Sequence, residues 1–322
     1  MRLRFVPEET SWDFFRITTF TTIFSVFAII GSIALLFTVG LNFGIDFRGG
    51  TTIRTDATIE VVVSDYRDTM EALELGDIAI TEVFDPTKPD QNVTQIRIEA
   101  QDGDEAITPE SIDLIKTALQ EIDPKMTFPS VESVGPKVSG ELVMTAIYAV
   151  LAAIGAVLFY IWLRFEWQFS VGAVAALVHD VVITIGIFSL LQIKFDLAII
   201  AAILTIVGYS LNDTVVVFDR VRENLRKYKQ RILKEVLNIS INETLSRTVM
   251  TSVTTLIALI SLFYLGGDVI HGFVFAMIWG VIVGTYSSVF VASAILLQLG
   301  VTRDWDNKDD GKAGTQFANI DA

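Results

Sequence analysis

The sequence predicts a membrane-embedded all-α bundle of six transmembrane helices, with an α+β domain inserted between the first and the second. Three observations lead there. Of the 322 residues, 52% are hydrophobic, more than a soluble core of this size requires. Six apolar runs, at 17–41, 142–163, 169–191, 197–218, 249–267 and 272–299, each approach the length of about 20 helical residues that crosses about 30 Å of hydrocarbon. The interval 42–141 holds 21 acidic and 8 basic residues, a net of −13 against −14 for the whole chain, and so belongs in water.

The first run starts at Ile17 and is 25 residues long, which favours a retained span over the short apolar core of a cleaved leader. In lipid, only helices and closed barrels satisfy every backbone polar group, and continuous runs of this length exclude the alternating strands of a barrel. Orientation follows from the loops. Arg220, Arg222, Arg226, Lys227, Lys229, Arg231, Lys234 and Arg247 lie between the fourth and fifth runs and Arg164 between the second and third, whereas the short loops on the other side hold only Lys194. Both termini, residues 1–16 and the acidic tail 300–322, are therefore expected in the cytoplasm, and residues 42–141 outside it.

Within 42–141 the periodicity gives six elements. Residues 50–56 alternate like a strand; 64–75 place Tyr66, Met70 and Leu73 on one helical face behind Ser64 as N-cap; 78–84 and 92–100 read as a hairpin across the turn DPTKPD. Thr108 then offers an N-cap before Pro109, with Ile112, Ile115, Leu119 and Ile122 as the apolar stripe, and 127–134 forms a last strand. The order β-α-β-β-α-β is the ferredoxin-like arrangement, which hosts many functions and names none.

Chemistry concentrates inside the membrane. Asp213, beside Asn212, lies within the fourth run, where an ionised carboxylate costs roughly 2.5–3.5 kcal/mol at a helix centre and marks ion or proton handling by default. It is five residues from the end of its run, roughly 7 Å from the cytosolic edge. Burial disfavours a charged carboxylate and a nearby cation favours it, so an aspartate that gains and loses an arginine partner can take up and release a proton. Arg247, at the start of the fifth run, is the candidate partner, although the positive-inside bias alone also accounts for an arginine there. His179 and Asp180, near the middle of the third run, are second candidates: a relay or a buried structural pair. Tyr209 and Asn212 are placed to orient Asp213 or to satisfy interhelical hydrogen bonds. Gly208, Ser210, Gly280 and Gly284 suit close helix packing. Residues 219–238 carry Val221, Leu225, Tyr228, Ile232 and Val236 opposite basic residues, the pattern of an interfacial helix on anionic headgroups, and Ser240 with Glu243 reads as a capping box that starts the fifth helix early.

Several classes are excluded. Without cysteine there is no thiol catalysis, disulfide or cysteine-metal site. No GxxxxGK[ST] loop is present, GIDFRGG lacks the strand-to-helix context of a dinucleotide fingerprint, and His179 and His271 sit on different spans, so neither a nucleotide cofactor nor a metal is expected. The acidic balance points away from nucleic acid.

Gly44-Ile45-Asp46-Phe47-Arg48-Gly49-Gly50-Thr51, Val134-Gly135-Pro136-Lys137-Val138, Gly208 to Arg220 (GYSLNDTVVVFDR) and Leu245-Ser246-Arg247-Thr248 resemble the signatures of the SecF family, in register from about Phe14 to Leu299. Residues 137–141 match more loosely, and the tail from Arg303 is idiosyncratic. The resemblance implies a bacterial inner-membrane subunit of the resistance-nodulation-division superfamily, without catalytic turnover of a small substrate or a cofactor. Its implied partners are a SecD-type subunit, the SecYEG channel, a YajC-like small membrane protein, the preprotein and the bilayer. It also implies that the proton motive force drives late stages of preprotein export, with Asp213 and Arg247 in proton use and Gly44, Asp46, Arg48, Gly49 and Gly50 as the signature. Two alternatives stay open: half of a proton-coupled efflux transporter, against which the tiny loops 192–196 and 266–271 count, and a passive membrane scaffold.

Overall fold

A computed structural model describes residues 10–60, 62–73, 75, 78–83, 92–98, 107–266 and 268–301. A short 3₁₀ turn at Phe14–Arg16 leads into α1, Thr18–Thr38, and a one-turn helix α2, Ile45–Arg48, ends at two glycines whose φ of +77° (Gly49) and +121° (Gly50) swing the chain into the outer domain. Those angles lie where a Cβ is strained, so glycine is required at this exit.

The outer domain runs β1 Gly50–Ala57, α3 Val63–Glu71, β2 Ile78–Val83, β3 Asn92–Ile98, α4 Pro109–Ile122 and β4 Thr127–Val134. Its sheet has the order β2-β3-β1-β4 with every pairing antiparallel, and a bulge between Arg54 and Asp56 bends β1 against β4. Ile53, Tyr66, Met70, Ile96, Ile98, Ile115 and Leu119 are buried between one sheet face and the two helices. Thr108 caps α4, accepting from the Ser111 N–H at 3.2 Å, with Pro109 in the first turn where its missing N–H costs nothing. The capping expected at Ser64 is absent: α3 starts at Val63 behind Val62, and Ser64 Oγ turns to Asp65 instead (3.4 Å). The turn at 85–90 lies outside the described residues.

Asp123 closes this domain. It is 3% exposed and accepts from the N–H (2.6 Å) and hydroxyl (2.8 Å) of Thr58 and from the N–H of Lys125 (2.9 Å). The Lys125 N–H foremost, then that of Thr58, holds its carboxyl below the usual range.

Five long helices follow: α5 Pro136–Arg164, α6 Trp167–Leu191, α7 Leu197–Lys227, α8 Leu233–Leu265 and α9 Asp268–Ser287, the last continuing through a π turn at Ser288–Ala292 into α10, Ser293–Leu299. With α1, and counting α9 to α10 as one span, six helical segments are long and apolar enough to cross a membrane. The third, fourth and sixth spans form the interior, and the first, second and fifth expose most of their apolar surface. Small residues set the closest crossings. A Cβ on Gly186 would run into Ser32 of α1, one on Gly280 into Ile206 of α7, and Gly284 sits against Ser210, whereas Gly208 has open space around it and packs against nothing described.

Two regions differ from the sequence reading. Residues 219–238 are no separate interfacial helix. α7 runs on to Lys227, and Val221, Leu225 and Val236 are buried together with Leu237 and Ile241. The amphipathic pattern is satisfied by a neighbouring helix rather than by lipid. Nor do Ser240 and Glu243 form a capping box, because α8 already starts at Leu233. Ser240 Oγ donates back to the Val236 carbonyl (2.8 Å), while buried Asn224 donates to Ser240 Oγ (3.0 Å) and Glu243 Oε2 (2.7 Å). The N-terminal segment is tied to the same helix: Trp12 N–H donates to Asn242 Oδ1 and Phe14 N–H to Asn238 Oδ1, both at 2.9 Å.

Gly186→Ala is expected to push α1 off α6 and to lower thermal stability in detergent by on the order of 1–3 kcal/mol, with partial recovery on adding Ser32→Gly. Asp123→Ala should speed amide exchange at Thr58 and Lys125 in the full chain. Because the Asp123 carboxyl is held low, its stabilising effect is present above the ordinary value of 3.8 and is lost as the pH falls through the lowered value, so wild type and variant should converge in acid.

Candidate functional site

The signature segment and α7 meet at the outer end of the bundle. Gly44 N–H donates to the Phe195 carbonyl (2.8 Å) and Phe195 N–H to that of Asn42 (2.7 Å), a parallel bridge of one residue pair. A Cβ on Gly44 would come within 3.2 Å of Asp196 and Lys194, so glycine lets the two segments approach without pushing those side chains aside. Phe43, Phe47 and Phe195 pack ring to ring beneath. Arg97 of the outer sheet donates to the Phe43 carbonyl at 3.0 Å, which ties the domain to this junction.

Two carboxylates then cap α7. Asp196 Oδ1 accepts from the Ile199 N–H (3.2 Å) and Asp46 Oδ2 from the Leu197 N–H (3.0 Å). Orphan amides and the positive helix end favour both. Burial nonetheless pushes the Asp196 carboxyl up, ahead of the lowering pull of the Ile199 N–H and Lys194. Arg48 ends α2, and Gly49 and Gly50 make the exit into β1, so all five signature residues gather at this corner. Asp196 escaped the sequence reading, although an aspartate in front of an apolar run is an N-cap signal; the acceptor role of Asp46, 151 residues from its donor, left no local signal.

Four turns further along α7, Asp213 is 3% exposed, and its Oδ2 has no hydrogen-bond partner among the described residues. Arg247 on α8 is solvent- or lipid-facing in the isolated chain. Its charge reaches Asp213, yet no ion pair or hydrogen bond joins the two among the described residues. Tyr209 does not orient Asp213: its hydroxyl donates to Thr255 Oγ1 on α8 (3.3 Å). Asn212 faces outward, in line with exposed Ala201, Thr205 and Gly208, a small and polar stripe on the surface of the span.

His179 and Asp180 are brought together despite the 100° between adjacent helix positions. Nδ1 and Oδ1 are 2.9 Å apart, both residues are buried, and Asp180 Oδ2 also accepts from Ser210 Oγ on α7 (2.6 Å) and Ser287 Oγ on α9 (2.7 Å). Ser287 escaped the sequence reading, and Ser210 was read for packing alone. Serine is too common in membrane helices to signal a role without its partner.

Known proteins resemble this chain along its length. The family profile "Protein export membrane protein SecD/SecF, C-terminal" matches residues 114–302 and the "SecD/SecF GG Motif" residues 34–57. A protein translocase subunit SecF of Cereibacter sphaeroides is 62% identical over 322 residues, covering all of this chain and 99% of that one, and its counterpart in Rhodobacter capsulatus is 56% identical over 315 residues, 96% and 95% of the two chains. The crystal structure of SecDF, a translocon-associated membrane protein from Thermus thermophilus, superposes with a TM-score of 0.79 at 35% identity, covering 93% of this chain and 40% of that one. The chain thus spans about two-fifths of the solved SecDF chain.

Asp46→Ala should raise amide exchange at Leu197 about fivefold, the equivalent of about 1 kcal/mol for a lost helix cap, while Asp46→Asn, which keeps an acceptor, should have less effect.

Proposed function

The chain belongs to the SecD/SecF family of protein-export membrane proteins, on its SecF side, and from that premise we propose that it is one half of a two-subunit motor in which the proton motive force drives late stages of preprotein export. The observation that carries this reading is Asp213: a carboxylate sealed in the bundle with one oxygen unpartnered, and a guanidinium on the next helix near enough to act on it but not bonded to it. An ion pair poised but unmade can alternate with proton binding, since each state neutralises the acid by a different route. A permanently closed pair could not.

The second half is a SecD-type subunit. The outward stripe Ala201, Thr205, Gly208 and Asn212 supports this, because a small and polar helix face in lipid asks for a packing partner. So does the share of the Thermus SecDF chain that this one leaves uncovered. The outer domain is read as ferredoxin-like from its element order and antiparallel β2-β3-β1-β4 sheet, and we place it on the far side of the inner membrane, where it meets the emerging preprotein beside the SecYEG channel and a YajC-like subunit. The lysines and arginines around the α7–α8 connection support a cytoplasmic side for both termini.

Asp213→Asn and Arg247→Met are each expected to assemble with the partner and yet to lose the proton-dependent stimulation of export into inverted vesicles. Wild-type export by both variants would reject the coupling and leave a scaffold.

A further inference from the structure

A second buried polar cluster sits in the centre of the bundle, separate from Asp213. Asp180 is 1% exposed and His179 2% exposed. The two Asp180 oxygens receive a ring nitrogen and two serine hydroxyls, contributed by three helices. A carboxylate only accepts, so Nδ1 of His179 must carry the hydrogen of that contact, and in the neutral imidazole the lone pair then lies on Nε2. Nε2 is buried and has no hydrogen-bond partner among the described residues. His179 also lines a cavity of about 250 Å³ between α1 and α10, whose wall includes Thr21, Ser25, Phe290, Ile295 and Gln298. That volume has room for several waters, and its wall, mostly apolar, carries Thr21, Thr22, Ser25 and Gln298 as polar members beside His179.

We propose that Nε2 of His179 takes up a proton delivered through water in this cavity, turning a buried aspartate and neutral histidine into a net-neutral imidazolium–carboxylate pair. The step balances simply: the Nε2 lone pair forms an N–H bond, a hydronium gives up its proton, and the Asp180 carboxylate stays ionised. The net charge of the pair goes from −1 to 0, which relieves an uncompensated charge in a low-dielectric interior.

α1, the π turn and α10 carry no charged residue, and α5 carries none between Glu141 and Arg164. α9 brings Tyr286, whose ring stacks on His179 at 6.0 Å and whose hydroxyl donates to the Thr21 carbonyl (2.9 Å) while meeting Ser25 Oγ (2.9 Å). α7 brings Ser210, one turn before Asp213. Charging the imidazole strengthens its claim on the carboxylate at the expense of the two serines. Ser287 is the last residue of α9 before the π turn, and such turns recur at functional sites. Uptake at His179 therefore acts on the helix that carries Asp213 and on the hinge-like turn of the sixth span.

The full chain has two histidines, so ¹⁵N-histidine labelling in lipid nanodiscs, with His271→Asn for assignment, reads His179 directly. At alkaline pH the expected spectrum shows Nδ1 protonated and Nε2 bare, with Nε2 gaining its proton on acidification. Asp180→Asn should require acid stronger by about one pH unit or more to do so, and Asp213→Asn should leave the transition in place. An Nε2–H tautomer at alkaline pH, or no change over the range in which the wild-type chain stays folded, would overturn the assignment. So would loss of the transition in Asp213→Asn, which would merge the two sites into one. The wild-type tautomer decides even where Asp180→Asn fails to fold, and the result stands apart from export assays of Asp213.

Discussion

Donors from three helices converge on the carboxylate of Asp180, and the bundle interior is arranged around that convergence. Hydrocarbon offers no hydrogen-bond partner, so a polar atom held within it is stabilised by finding its complement in protein. His179, Ser210 and Ser287 meet this need for one acid, and in doing so hold α6, α7 and α9 at a fixed rotation. Glycines at the crossings make the approach possible: Gly284 lets α9 close on Ser210 itself, and Gly280 admits Ile206. Packing and polar satisfaction thus specify the same register rather than competing for it.

The fourth span links every part of the molecule that has chemistry in it. Its outer end is capped by Asp196 and by Asp46 from the signature corner, which the outer sheet grips through Arg97. Ser210 and Asp213 follow at its middle, and at its inner end Asn224 bridges to Ser240 and Glu243 on α8. A rigid helix of 31 residues transmits a small rotation over its whole length. The outer domain and the buried acid Asp213 are thereby joined through one element.

Much of this fold was legible in the sequence because its largest signals are local. A run of apolar residues long enough for lipid needs no partner to be recognised, and the strand and helix periods of the outer domain, with Thr108 and Pro109 marking α4, are contained within short windows. The boundaries that slipped are those decided by distant contacts. α7 outlasts its apolar run because Val221 and Leu225 find Val236 and Ile241, and α8 starts before its apparent capping box for the same reason. Of the candidate site, a carboxylate within an apolar run announces itself, so Asp213 and Asp180 were visible. His179 and Arg247 were visible beside them, but the serine partners were not: Ser287 lies 107 residues from Asp180, and Tyr209, next door to Asp213's turn, bonds elsewhere.

The tie between the N-terminal segment and α8 bears on how such a chain is made. Trp12 finds its acceptor 230 residues later, on Asn242, and Asn242 returns a bond to the Trp12 carbonyl at 2.8 Å. At ribosomal speeds of about 5–20 residues per second, the first span waits roughly 10–50 s before its cytosolic anchor exists. During that interval it is held by its hydrophobicity and, once α6 has been made, by packing of Ser32 on Gly186 and the bonds from Ser189 to the Leu35 and Gly40 carbonyls.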